Sequence, residues 1–297
     1  MVTDAIALAN RLVELVHAEG LDEFVAGNGI VTLAKVLGLQ VFLSFDEGHK
    51  DRSAVLRFGQ LPSIMVFRSG GVRKSIQVGP EDEIKLKVHE RFSIAHEIAH
   101  WLAFKRFGVE PIEPVAARAS EYWKHETAMH AFAGAVLVPR AVVAKRVLQC
   151  PGGMHLPAKS LYAMSKELRV SRIVAARQIA LQRTDFGYLE LQFQRDPKAP
   201  RMLLVVKESV ASSDLKLPGV SSKIRNDRLV EVLVGSYGSQ RFMGGMSFDG
   251  KMVRSLHMSW EQIAGLLGEA YVGEGAWVGR LVMTCWSKDN NENVFPI

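Results

Sequence analysis

Apolar residues recur at helical spacing near the start of the chain, at Ile6, Leu8, Leu12, Leu15 and Val16, and predict a helix over residues 3–18. A shorter helix is expected over 29–37, followed by a strand at Val41-Phe42-Leu43. Two more short strands are predicted over 53–58 and 63–67, joined near Gly59 and Pro62. Residues 81–87 are too charged for the pattern to assign. The run 92–107 is strongly helical, with Ser93 as the expected cap and Gly108 as the stop. After a connector at 110–114, a second long helix is expected over 116–137, ended by Pro139.

Pro151-Gly152-Gly153 is the clearest break in this pattern. Beyond it, 160–168 and 171–182 predict two short helices joined at Arg169-Val170. From residue 184 onward the rhythm changes to β-like runs at 188–194, 202–207, 229–234 and 276–285, with one helix expected over 260–269. The chain is therefore expected to be α+β, in three parts: 1–140, a helical segment at 141–184, and a β-rich domain at 185–297. No internal repeat or low-complexity tract interrupts this layout.

Composition refines the picture without changing it. With 297 residues, 48% hydrophobic and 23% charged, the chain has the make-up of a globular protein. No uncharged apolar run approaches the ~20 residues of a membrane helix. Met1-Val2-Thr3-Asp4 carries an acid where a signal peptide carries basic residues. Cys150 and Cys285 match no metal or redox spacing, so a cytoplasmic protein without disulfides is expected. The net charge of +6 is concentrated: between Arg140 and Arg183 nine Lys or Arg face a single acid, Glu167. Such a block either attracts nucleic acid or an acidic partner, or forms a solvated helix surface.

The candidate chemistry lies in Ser93-Ile94-Ala95-His96-Glu97-Ile98-Ala99-His100-Trp101, which spells H-E-x-x-H on a predicted helix. Residues four apart share a helix face, so the His96 and His100 imidazoles can converge on one cation. Glu97 would stand beside the metal as a general base toward bound water rather than as a ligand. This predicts a zinc-dependent peptidase with Glu97 as its catalytic residue, although manganese and iron suit the same donors. The candidates for a third ligand on the next helix are Glu121, His125, Glu126 and His130, and position alone does not choose among them. His89 and His155 are further candidates, each more readily read as structural or exposed.

Two blocks resemble the ImmA/IrrE family of metallopeptidases. Arg91-Phe92-Ser93-Ile94-Ala95-His96-Glu97-Ile98-Ala99-His100 is similar to the family's R-F-T-x-A-H-E-x-x-H. Glu126-Thr127-Ala128-Met129-His130-Ala131-Phe132-Ala133, continuing to Pro139, resembles its E-x-x-A-N-x-F-A block, with His130 in place of the family's usual Asn. The resemblance covers about residues 1–140 well and 155–184 loosely. It implies a zincin-like domain with His96, His100 and Glu126 as zinc ligands, a helix-turn-helix-like segment, and a C-terminal domain like the GAF sensors of the IrrE-like subgroup. It also implies an endopeptidase that cleaves a helix-turn-helix repressor or antitoxin-like partner, with DNA contact through 140–183 less favoured. The competing reading is a non-catalytic DNA- or protein-binding regulator, or toxin-antitoxin component, built on the same metal-binding fold.

Overall fold

The computed structural model describes residues 2–21, 29–45, 53–69, 74–110, 119–148, 158–183, 186–195, 202–212, 223–224, 271–277 and 281–287. The expected mixed α+β architecture is present, divided into two compact units. One comprises Met1–Pro139 with Lys166–Ser171; the other comprises Arg140–Ser165 with Arg172–Ile297.

The first unit begins with α1 (Val2–Ala18) and α2 (Ile30–Val36). The core face of α1 is Ala5, Ala9, Leu12 and Val16, whereas Ile6, Leu8 and Leu15 are only partly covered. Small residues on that face let α1 approach the helix it packs against, α4 (Ala119–Leu137). Strands β1 (Gln40–Phe45), β2 (Ala54–Arg57), β3 (Ser63–Phe67) and β4 (Lys74–Gln77) form a sheet in the order β2-β3-β1-β4. Only the central β1–β3 pair is parallel, with Gln40 opposite Ser63. Consistent with its central place, β3 is buried along Ser63–Val66, while edge strand β4 is exposed throughout.

Helix α3 (Val88–Phe107) carries the H-E-x-x-H sequence through the middle of this unit. Ile94, Ala95, Ile98, Ala99, Trp101, Leu102 and Ala103 are all buried, so the helix is covered on most of its circumference. The cap is Lys87, not Ser93. The Lys87 N–H donates to the Glu90 carboxylate at 2.7 Å, and Ser93 lies inside the helix, its hydroxyl donating to the His89 carbonyl. Gly108 closes the helix in the left-handed conformation, φ 65°, as the sequence led us to expect.

The charged stretch that the pattern left unassigned is a 3-10 segment, Pro80–Lys85. Its Glu83 is wholly buried and accepts from the backbone N–H groups of Ile30 and Val31 at the start of α2, and from Arg91. Arg91, also fully buried, donates onward to the carbonyls of Leu168 and Arg169. Arg169 adopts φ 53°, a conformation unusual outside glycine. Its guanidinium donates to the carbonyls of Glu83, Ile84 and Leu86, which explains an arginine where a turn would favour glycine.

The second unit contains α5 (Arg140–Leu148), most of α6 (Ala158–Glu167), α7 (Arg172–Ala180) and a five-stranded antiparallel sheet. Strands β5 (Phe186–Arg195), β6 (Met202–Ala211), β7 (Lys223–Ile224), β8 (Tyr271–Trp277) and β9 (Leu281–Ser287) stand in the order β7-β6-β5-β9-β8. The predicted run 276–285 thus spans two paired strands, Trp277 facing Leu281 across their connection. α7 packs on β5 and β6, where buried Glu190 accepts from Arg172 at 2.9 Å and from the Tyr188 hydroxyl. The strand expected at 229–234 and the helix expected at 260–269 lie outside the described residues.

Among the described residues no single helix is long and apolar enough to cross a membrane. Ala128, Met129, Phe132, Ala133, Val136 and Leu137 of α4 are buried within the protein, whereas Trp123 near its start is exposed.

Candidate metal centre

Helices α3 and α4 pack side by side in the first unit and place three donors at one point. The i,i+4 spacing sets the His96 and His100 rings on one face of α3, their centroids 4.8 Å apart and their Nε2 atoms 3.1 Å apart. From α4, Glu126 brings Oε2 to 3.1 Å from His96 Nε2 and Oε1 to 3.4 Å from His100 Nε2. The three side chains are only 10–14% exposed. Such a cluster can chelate a divalent cation.

Burial works against ionisation of Glu126. Hydrogen bonds from His100 and His96, and their charge, outweigh it and hold the carboxyl well below the usual carboxylate range. The group therefore stays an acceptor-only anion, the form a metal needs. The Nδ1 atoms of His96 and His100 are buried and have no hydrogen-bond partner among the described residues. Metal-bound imidazoles commonly donate that N–H to a carboxylate or carbonyl, and among the described residues there is neither.

Glu97 does not join the three donors. Its Oε2 accepts from the backbone N–H of Leu56, 3.1 Å away, and so ties α3 to edge strand β2. Burial pushes its carboxyl up, against the opposing pull of the neighbouring imidazoles. Of the remaining candidates, Glu121 and His89 are exposed and stand outside the cluster, and His155 lies outside the described residues. His125 is buried beside His100, rings 5.4 Å apart, with neither nitrogen paired among the described residues; burial lowers its basicity. His130 is exposed and lies against His96 on one side and Phe92 on the other.

Two contributions were not legible in the chain. The Leu56 N–H is a backbone group and leaves no residue-type signal. Arg91 lies little more than one turn before the two histidines on α3, but only the structure shows it paired with Glu83.

No family model matches the chain, and no curated protein matches it. A solved structure described as a Mycobacterium tuberculosis transcriptional regulator is similar at 12% identity, covering 97% of this chain and 93% of that one, with a TM-score of 0.47. A likeness at that level assigns no function. The expectation of ImmA/IrrE membership is corrected, since no family model supports it. The zinc endopeptidase and hydrolase reading drawn from the H-E-x-x-H spelling is corrected with it, as is the repressor-cleaving role that the resemblance implied. The H-E-x-x-H spelling yields a three-donor cluster able to chelate a cation, and the step from that cluster to proteolysis is withdrawn.

Proposed function

We propose that this chain is a metal-binding regulatory protein that acts by binding a macromolecular partner and not by cutting it. The observation that carries the reading is the convergence of His96, His100 and Glu126 from two packed helices. Donors held 2.0–2.1 Å from a tetrahedral zinc ion lie about 3.3 Å apart. The separations of 3.1, 3.1 and 3.4 Å fit that edge length, which supports zinc as the ion. Manganese and iron share these donor preferences.

Zinc bound here supplies Lewis acidity and a fixed link between α3 and α4. The protein's own residues do the rest: Glu126 stays ionised, and Glu97 is committed to Leu56. Among the described residues neither imidazole has an acceptor for its Nδ1–H, and such outer partners typically matter about 10–100-fold in metal affinity. The parallel pair at the centre of the sheet, with edge strand β2 tied to α3, supports a zincin-like framework for the first unit.

The partner-binding part of the proposal draws on the basic segment. Arg140, Lys145 and Arg177 are exposed on α5 and α7, and a polyanion such as DNA is the class of partner they suit. Arg169 and Arg172 are already committed within the protein, which removes two charges from any such contact.

The test compares Glu97→Gln with Glu126→Gln in a reporter assay in the source cell. A non-catalytic metal-dependent regulator keeps its activity in Glu97→Gln and loses it in Glu126→Gln. Loss of activity in Glu97→Gln, together with metal-dependent cleavage of a partner by the unaltered protein alone, would overturn the proposal.

A further inference from the structure

We infer that His125 is a positioning residue for His100 in the metal-loaded protein, accepting through one bridging water the hydrogen bond that His100 Nδ1–H has to give. The inference rests on the metal-binding reading above and deepens it.

The first argument is burial. His125 is only 9% exposed, yet neither of its ring nitrogens has a hydrogen-bond partner among the described residues. A buried polar group left unpaired costs stability, so an apolar ring of similar size would serve the core better. Native proteins keep few such groups, and each one kept calls for a role.

The second argument is the complementary need of His100. A cation on its Nε2 fixes the ring proton on Nδ1, and that N–H then calls for an acceptor that orients the ring. His100 Nδ1 is itself buried and unpaired among the described residues. An uncharged imidazole carries a lone pair on one nitrogen, so His125 has the acceptor that His100 lacks.

The third argument is distance. The rings of His100 and His125 lie with their centroids 5.4 Å apart, inclined by 36°. No direct bond joins them. Two hydrogen bonds of about 2.9 Å through one water span up to roughly 5.8 Å, which matches this separation. Water bridging two buried polar groups is a regular part of protein interiors.

His125 supports the site and does not ligate. Its nitrogens lie outside the cluster of His96, His100 and Glu126, and it leaves α4 about 100° around the helix from Glu126. Two adjacent residues of α4 thus serve one imidazole from different sides. Glu126 meets His100 at Nε2, where the cation binds, and His125 answers at Nδ1.

The experiment uses the full chain with two variants: His125→Phe, an apolar ring of similar size, and His125→Gln, which keeps a side-chain acceptor. Zinc affinity by chelator competition should fall about 10–100-fold in His125→Phe and recover most of that loss in His125→Gln. The denaturation midpoint of metal-free His125→Phe should be unchanged or higher, because an unpaired buried group has been removed. In the zinc-loaded unaltered protein, NMR should show the His100 Nδ1–H protected from exchange with solvent, and His125→Phe should lose that protection. Zinc affinity unchanged in His125→Phe overturns the inference and leaves the metal-binding proposal standing. Equal losses of affinity in the two variants, or a metal-free midpoint that falls with the affinity, would show that His125 acts by packing alone and overturn it too. Should His125→Phe fail to fold, rapid exchange of the His100 Nδ1–H in the unaltered protein overturns it. If the unaltered protein takes up no zinc, the metal-binding proposal fails as well.

Discussion

Glu97 separates a base from a brace. Its carboxylate accepts from Leu56 and is pushed up by burial, so it already holds a place in the fold before any substrate arrives. Glu97→Ala leaves the Leu56 N–H without that partner and is expected to destabilise the protein by about 1–3 kcal/mol in chemical denaturation. Glu97→Gln keeps an acceptor oxygen and should cost less. Equal stability of the Ala variant and the unaltered chain would show that the bond carries no weight. At this scale the sequence was informative where chemistry follows spacing. His96 and His100 were legible because a helix repeats every 3.6 residues. Glu126 was not legible from spacing, since four residues on the next helix qualified, and only the resemblance singled it out. The structure now gives the reason: Glu126 alone of the four reaches both imidazoles.

At the scale of elements, α3 is anchored at its start by two buried carboxylates. Glu83 pairs with Arg91 at 3.2 Å, both side chains fully covered, and Glu90 pairs with Arg68 at 2.6 Å. Removing one member of a buried pair strands the other, at a typical cost of about 3–5 kcal/mol. Arg91→Met should therefore lower the unfolding midpoint far more than a surface substitution such as Lys145→Met. A near-neutral Arg91→Met would mean that the pair is not buried in solution. Glu90 adds a pH signature. Burial opposes its ionisation, but hydrogen bonds from Arg68 and the Lys87 N–H prevail and hold it below the ordinary carboxylate range. Its folded-state pKa is depressed, so its stabilising contribution is complete above about pH 4.5 and is lost as pH falls further. Glu90→Gln should flatten the acid side of the stability–pH curve; an unchanged acid limb would contradict this. These anchors explain the errors of the sequence reading. Ser93 looked like a cap because serine often is one, but Glu90 already reached back to Lys87 and started the helix earlier. The stretch 81–87 resisted assignment because its charges are satisfied by residues distant in sequence, Arg91 and the start of α2.

Across the whole molecule, the α+β class was legible from the change of rhythm near residue 184, and α3 and α4 from long apolar periodicity. The distribution of contacts was not. Lys166–Ser171 belongs to the first unit although its neighbours on both sides belong to the second. That follows from hydrogen bonds between Arg91, Arg169 and distant carbonyls, which leave no local pattern. A cation bound only by the folded protein stabilises it by mass action, about 2.7 kcal/mol at a free concentration one hundred times Kd. Added Zn²⁺ should therefore raise the thermal midpoint of the unaltered protein and leave that of Glu126→Gln in place. An equal rise in both would locate the binding elsewhere. Partner binding through the basic helices should weaken steeply as salt rises, because phosphate contacts release counterions. A gel-shift series that is flat in salt would argue against a polyanion.

The central claim is that His96, His100 and Glu126 hold a cation. The most direct measurement is the zinc content of the full chain after equilibration with Zn²⁺ and removal of free metal, compared with Glu126→Gln treated identically. We predict one zinc ion per chain in the unaltered protein and a content near zero in the variant. Equal zinc in the two, or none in either, would contradict the account.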